Sequence, residues 1–179
     1  MGKTLILIRH AKSSWDPYKR NNFIGDDHSR PLNNRGKLSA ILMASYLKVK
    51  VGTVDKIFSS SATRATQTCT EIAMKLKSIH TAKITKQLYT FEAKILLNFL
   101  RNIDNNLSKV IIISHNPAIQ EVCSYLISSS FFYNSLSPLS KKFSTCGVAQ
   151  IELNCNKWNE LEKDCGRLDI FVTPKSISD

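Results

Sequence analysis

KTLILIRH, residues 3–10, is a short apolar run, Leu5 to Ile8, that ends on an arginine and a histidine. It has strand length, and a polar segment with Pro17, Gly25 and Pro31 follows it as a long loop. The same design returns at residues 109–115, KVIIISH, the clearest strand in the chain. Between these two runs the period changes repeatedly. From Asn33 onward Leu38, Ile41, Leu42, Ser45 and Tyr46 recur at helical spacing, with Asn33 or Asn34 as N-cap and Gly52 as terminator. Residues 54–58 read as a strand, and a second helix starts near Ala62 with Ala65, Cys69, Ile72, Ala73 and Leu76 on its apolar face. Residues 82–85 form a weaker strand, and Leu96, Phe99, Leu100 and Ile103 set a third helix after Glu92. Beyond His115, Asn116 is placed to cap a fourth helix with Pro117 at its first position and Ile119, Val122, Cys123 and Leu126 inside.

Strands alternating with helices predict a three-layer α/β/α sandwich with a mainly parallel central sheet, whose ligand site lies at the carboxyl ends of the strands. After the fourth helix the alternation stops. Residues 128–144 read as a Ser-rich loop, and residues 147–153 and 168–172 as strands joined through 154–166, which predicts an antiparallel C-terminal edge. No repeat, linker or long low-complexity segment divides residues 1–179, so one domain is expected.

Composition narrows the function classes. No apolar run approaches the roughly 18 residues that span a bilayer, and the N-terminus has no signal-peptide core, so a cytoplasmic protein without membrane attachment is expected. The five cysteines are widely spaced and contain no C-x-x-C, which opposes a disulfide framework and a zinc site. The formal charge of +11 invites an anionic partner. Its lysines are scattered, and no stacking platform or helix-turn-helix signature accompanies them, so phosphate is favoured over nucleic acid.

Four features fall at strand ends or just beyond: Arg9-His10, Arg30, Arg64 and His115. Alone, each has an ordinary reading as a strand cap or a solvated surface group. Together, three guanidinium forks match the oxygens of a phosphoryl group, a neutral imidazole can attack phosphorus, and a second imidazole, if protonated, can stabilise the transferring oxygens. Such a kit needs no metal and no cofactor. Lys12, Ser13 and Ser14 follow His10 and can donate to phosphate, and Trp15 can wall the pocket. Asp26 and Asp27 sit beside Arg30, where orienting it competes with simple solvation.

The segment LILIRHAKSSW resembles the Arg-His signature of the histidine phosphatase (phosphoglycerate mutase-like) superfamily, in the branch typified by the phosphohistidine phosphatase SixA. RPLNNRG with Arg30, SSSATRATQT with Arg64 and IIISHNP with His115 follow in that family's order. The resemblance implies a histidine phosphatase domain in which His10 is phosphorylated while Arg9, Arg30, Arg64 and His115 bind the phosphoryl group, with Ser13 as a further donor. Larger members carry an acidic general acid before the third helix. Glu92 is the nearest candidate, although a first-turn helix carboxylate is the stronger reading of it. The expected activity is hydrolysis of phosphohistidine on a phosphorylated protein. The alternatives are a small-molecule phosphomonoesterase or a phosphate-recognising adaptor without turnover.

Overall fold

The computed structural model describes residues 2–15, 26–127 and 143–178. The predicted loop at 128–144 falls almost wholly outside these, as do Pro17 and Gly25. The elements run β1 (Lys3–Arg9), α1 (Asn34–Lys50), β2 (Lys56–Ser60), α2 (Thr63–Lys75), β3 (Ala82–Thr85), α3 (Ala93–Arg101), β4 (Lys109–Ser114), α4 (Ala118–Leu126), β5 (Val148–Leu153) and β6 (Gly166–Val172). They form a six-stranded sheet in the order β3-β2-β4-β1-β5-β6. The first four strands pair in parallel, whereas β5 runs antiparallel to β1 and β6 antiparallel to β5, so the C-terminal edge is antiparallel as expected.

Central strands apolar on both faces need two covering layers, and both are present. Leu5, Leu7, Val110 and Ile112 pack with Leu96 and Leu100 of α3 and Ile119, Val122 and Leu126 of α4. Ile6, Ile8, Ile111 and Ile113 pack with Ala40, Met43 and Leu47 of α1 and Ala65, Cys69 and Ile72 of α2. No helix among the described residues is long and apolar enough to cross a membrane. The five cysteines are free thiols.

Two local expectations are corrected. The buried face of α1 is Gly36, Ala40, Met43, Ala44 and Leu47, while Leu38 is 69 % and Ile41 48 % exposed. Small residues let α1 lie close against α2 and the Lys12 peptide, and that contact outweighs the larger but misplaced apolar stripe. Asn116 does not cap α4. Pro117 occupies the cap position, and the Asn116 amide donates to Gln120 Oε1 and the Phe143 carbonyl.

The close approach of α1 positions the loop after β1. Asn33 caps α1 by accepting from the Gly36 amide at 2.8 Å, and its own N–H donates to the Lys12 carbonyl at 3.0 Å. Ser13 and Leu32 form a single bridge, which ties this loop to the one carrying Arg30. A Cβ on Gly36 would lie 2.0 Å from the Lys12 carbonyl oxygen. Alanine in a helix interior ordinarily adds about 0.5–1 kcal/mol of stability over glycine. Here the clash with backbone reverses the sign: Gly36→Ala is expected to destabilise the fold by about 1–3 kcal/mol in urea melts. An unchanged or higher midpoint would mean that α1 does not press on the Lys12 peptide.

Candidate active site

The carboxyl ends of β1 and β4 deliver His10 and His115 to one cavity of about 560 Å³, β2 ends on Ser60 buried against His115, and the loops beyond the strands complete the cavity. The expected set is brought together: Arg9, His10, Ser13, Arg30, Arg64 and His115 all line this cavity, with Lys12 and Trp15 beside them. Glu92 does not. It stands exposed at the N-cap of α3 without a side-chain capping bond, as the helix-terminus reading has it, and its neighbour Phe91 faces the cavity instead.

His10 is oriented through its own backbone neighbour. Thr68, one turn into α2, donates its hydroxyl to the Arg64 carbonyl at 2.7 Å and accepts the Ala11 N–H at 3.1 Å. That fixes the Ala11 peptide, whose carbonyl lies 2.8 Å from His10 Nδ1. A carbonyl only accepts, so Nδ1 carries the proton and the Nε2 lone pair is left outward. Arg64 Nε donates to that Nε2 at 3.2 Å.

His115 is built the opposite way. Arg64 Nη2 lies 3.3 Å from its Nδ1, and a guanidinium can only donate, so the His115 proton sits on Nε2 and is given to Ser60 Oγ at 2.8 Å. The two rings are 5.0 Å apart between centroids. Burial, and then the charges of Arg64, Arg9 and Arg30, hold the His10 pKa at about 3, although the bond to Ala11 works the other way. Burial, His10 and Arg64 hold His115 at about 2. Both rings are therefore neutral at pH 7. For His115 the condition of a protonated ring is thus not met in the resting site, and for His10 burial contributes more than the arginines that the sequence pointed to.

Asp27 organises the cations. Its Oδ1 accepts from Arg30 Nε at 3.1 Å and Nη2 at 2.8 Å, and its Oδ2 accepts from Arg64 Nη2 at 2.8 Å and Tyr89 Oη at 3.0 Å. Arg30 Nη1 donates to Ser13 Oγ, and its guanidinium lies 3.8 Å from the centre of the Trp15 ring. Burial alone would raise the Asp27 carboxyl, but the Arg30 bonds, the Arg64 charge and the Tyr89 hydroxyl outweigh it and hold the pKa at about 2. Asp27 thus orients Arg30, and it is a carboxylate rather than a proton donor at neutral pH. Arg9 reaches in from β1 with Nη1 on the Phe143 carbonyl at 2.8 Å and its Nε without a partner among the described residues.

Asp27's bridging role, Ser60, Thr68, Tyr89 and Phe91 escape the sequence reading. Ser60 was within reach of it, because it closes a parallel strand at the same end as Arg9 and Ser114. Thr68 and Tyr89 carry no such signal. His28 bonds Ser61 Oγ at 2.8 Å and meets the Tyr89 ring edge-on at 4.9 Å. Among the described residues, five cations, Arg9, Lys12, Arg30, Arg35 and Arg64, face one carboxylate in the cavity, a donor set that favours an oxyanion over a metal cation.

The sequence profile of the histidine phosphatase superfamily (branch 1) matches residues 5–91. Over those residues the chain resembles that superfamily. An uncharacterized protein of Mycobacterium leprae is 29% identical over 168 residues, spanning 94% of this chain and 100% of the relative. The protein histidine phosphatase SixA complexed with tungstate superposes with a TM-score of 0.75 at 21% identity, covering 97% of this chain and 99% of that one. A mycobacterial glucosyl-3-phosphoglycerate phosphatase superposes with a TM-score of 0.65 at 12% identity over 95% and 98%. At such identities these two likenesses speak for the fold.

Two expectations follow from the geometry. Asp27→Asn removes the charge that holds Arg30 and Arg64 in register, and misplacement of positioned groups by an ångström costs on the order of 10²-fold in rate. The kcat/KM for an aryl phosphate is expected to fall by about that factor, and a loss under threefold would show that the arginines hold their places unaided. The second concerns stability. In the unfolded chain both histidines titrate near 6.5, whereas the folded rings stay neutral down to about 3 and 2. Their contribution is whole above the unfolded value and is lost as pH falls from there, at up to about 1.4 kcal/mol per pH unit for each ring. Urea midpoints are expected to drop between pH 7 and pH 5, with a shallower slope in His10→Ala; equal slopes would place the His10 ring in solvent.

Proposed function

We propose that this protein is a phosphatase that works through a phosphohistidine on His10, with phosphohistidine of other proteins as its substrate class. The observation that carries this reading is the His10 Nε2 lone pair, aimed among Arg9, Arg30 and Arg64 because the Nδ1 proton is committed to Ala11. An incoming phosphoryl group gives Arg64 charge-assisted bonds stronger than those to two neutral rings, which frees Nε2 to attack. The Nε2–P bond forms as the bond from phosphorus to the leaving group breaks. Water then attacks phosphorus and the His10 ring departs neutral with its Nδ1 proton in place, releasing dihydrogen phosphate.

The choice among substrates turns on the leaving group. Alkoxides leave slowly without a proton donor, a service worth about 10²- to 10⁴-fold. Within the cavity Asp27 is ionised, and Glu92 lies outside it. A phosphohistidine protonated on its distal ring nitrogen needs no donor, since it leaves as neutral imidazole and the phosphoryl group passes between two equivalent rings. Five free thiols suit a reducing compartment, and we place the protein in the cytoplasm on that basis.

Rapid quench with labelled substrate is expected to trap an acid-labile, alkali-stable adduct on His10, and His10→Ala to abolish turnover; a label elsewhere overturns the mechanism. Replacing Arg9, Arg30 or Arg64 by lysine is expected to cost about 2–4 kcal/mol of transition-state stabilisation, because a point charge cannot reproduce the bidentate fork. Glu92→Gln is expected to leave turnover unchanged, and EDTA to have no effect. Alkyl phosphates cleaved as fast as phosphohistidine, with selective loss in Glu92→Gln, would instead make this a general phosphomonoesterase.

A further inference from the structure

The floor of the cavity accounts for the phosphoryl group, and its mouth holds more. His10, Arg30, Arg64 and His115 are buried, yet Phe91 lines the same cavity with 46 % of its surface exposed. A large aromatic left facing water beside a charged site is the informative kind of exposure. Trp15, the other exposed aromatic there among the described residues, already has the Arg30 guanidinium against its ring. Phe91 meets Tyr89 at 5.7 Å with the planes 69° apart and His115 at 5.4 Å with the planes 51° apart. Neither neighbour stacks flat on it.

In-line transfer to a buried nucleophile sends the leaving group outward, on the far side of phosphorus from His10 Nε2. A phosphorylated side chain on a protein also enters from that side. From this geometry we infer that Phe91 forms a leaving-group subsite for a flat ring, and that its best occupant is the protonated imidazole of phosphohistidine. The inference rests on the phosphatase reading above and adds what the substrate must carry. A ring face attracts a cationic imidazolium as well as providing apolar contact, so it favours the protonated form that departs without a proton donor. An alkylamine or alkyl ester has no flat surface to offer.

The test uses three phosphoryl donors on the full chain: 1-phosphoimidazole, p-nitrophenyl phosphate and phosphoramidate. The first and third share a P–N bond, but phosphoramidate has no ring. The ratio of kcat/KM for 1-phosphoimidazole to that for phosphoramidate is expected to fall roughly 5- to 10-fold in Phe91→Ala and Phe91→Leu, and to recover in Phe91→Trp. The ratio for p-nitrophenyl phosphate should fall in the same variants. Because each ratio is taken within one variant, any general disturbance passed through His115 cancels, and phosphoramidate turnover reports a folded site. Ratios unmoved in both the alanine and leucine variants overturn the subsite and leave the phosphatase reading standing. A wild-type protein that cleaves none of the three overturns both.

Discussion

One carboxylate holds a concentration of positive charge in working order. Arg30 and Arg64 are both buried and of like sign, and they are kept together at Asp27, which gives one oxygen to each guanidinium. Breaking such a bridge leaves a buried charge uncompensated, which is why a paired arrangement is stable where either arginine alone would be expelled. The Tyr89 hydroxyl adds a third donor, so Asp27 stays ionised despite its partial burial. Arg64, so held, spans both imidazoles: Nε meets His10 and Nη2 meets His115.

The sheet explains why these groups meet at all. Parallel strands end at one edge, and β1 and β4 are adjacent with Arg9 opposite Ser114 in register. His10 and His115, each the next residue along, are thus forced to be neighbours. A one-residue slip in either strand would turn apolar side chains toward the wrong layer, so the packing of both cores protects the pairing of the histidines. β2, on the other side of β4, brings Ser60 to the same edge, and the start of α2 immediately after it carries Arg64. Chain connectivity thus supplies three of the principal groups with no loop longer than a few residues.

What was legible in the sequence follows this division. Residues placed by strand ends, namely Arg9, His10 and His115, could be read because apolar runs mark strands and the edge they share is a property of parallel sheets. Arg64 could be read because a helix start follows β2 directly. Asp27 beside Arg30 could be read at i,i+3, but its bond to Arg64, that of Thr68 to Ala11 and that of Tyr89 to Asp27 join partners remote in sequence, and no local pattern encodes those contacts. Glu92 is the opposite case. It is adjacent in sequence to a cavity residue, yet at the entrance to α3 neighbouring side chains diverge, so that Phe91 faces the cavity and Glu92 faces solvent. On α1, exposed Leu38 and Ile41 misled where Gly36, Ala40 and Ala44 carry the packing, because in a close contact small side chains matter more than hydrophobic ones.

The neutrality of both histidines gives Arg64 two competing roles. In the resting site it donates to Nε2 of His10 and to Nδ1 of His115, so the lone pair of each ring is satisfied without a second proton. On the proposed function, an entering phosphoryl dianion would draw the guanidinium away and reverse the local field. The His115 pKa, held at about 2 by burial, His10 and Arg64, would then rise, since a nearby anion favours the charged ring and the guanidinium would no longer occupy its lone pair. His115 would thereby become a proton-bearing partner for the phosphoryl oxygens only with a substrate present. Arg64 would be the coupling element of that reading, because the one side chain that covers His10 Nε2 in the resting site also meets the His115 lone pair.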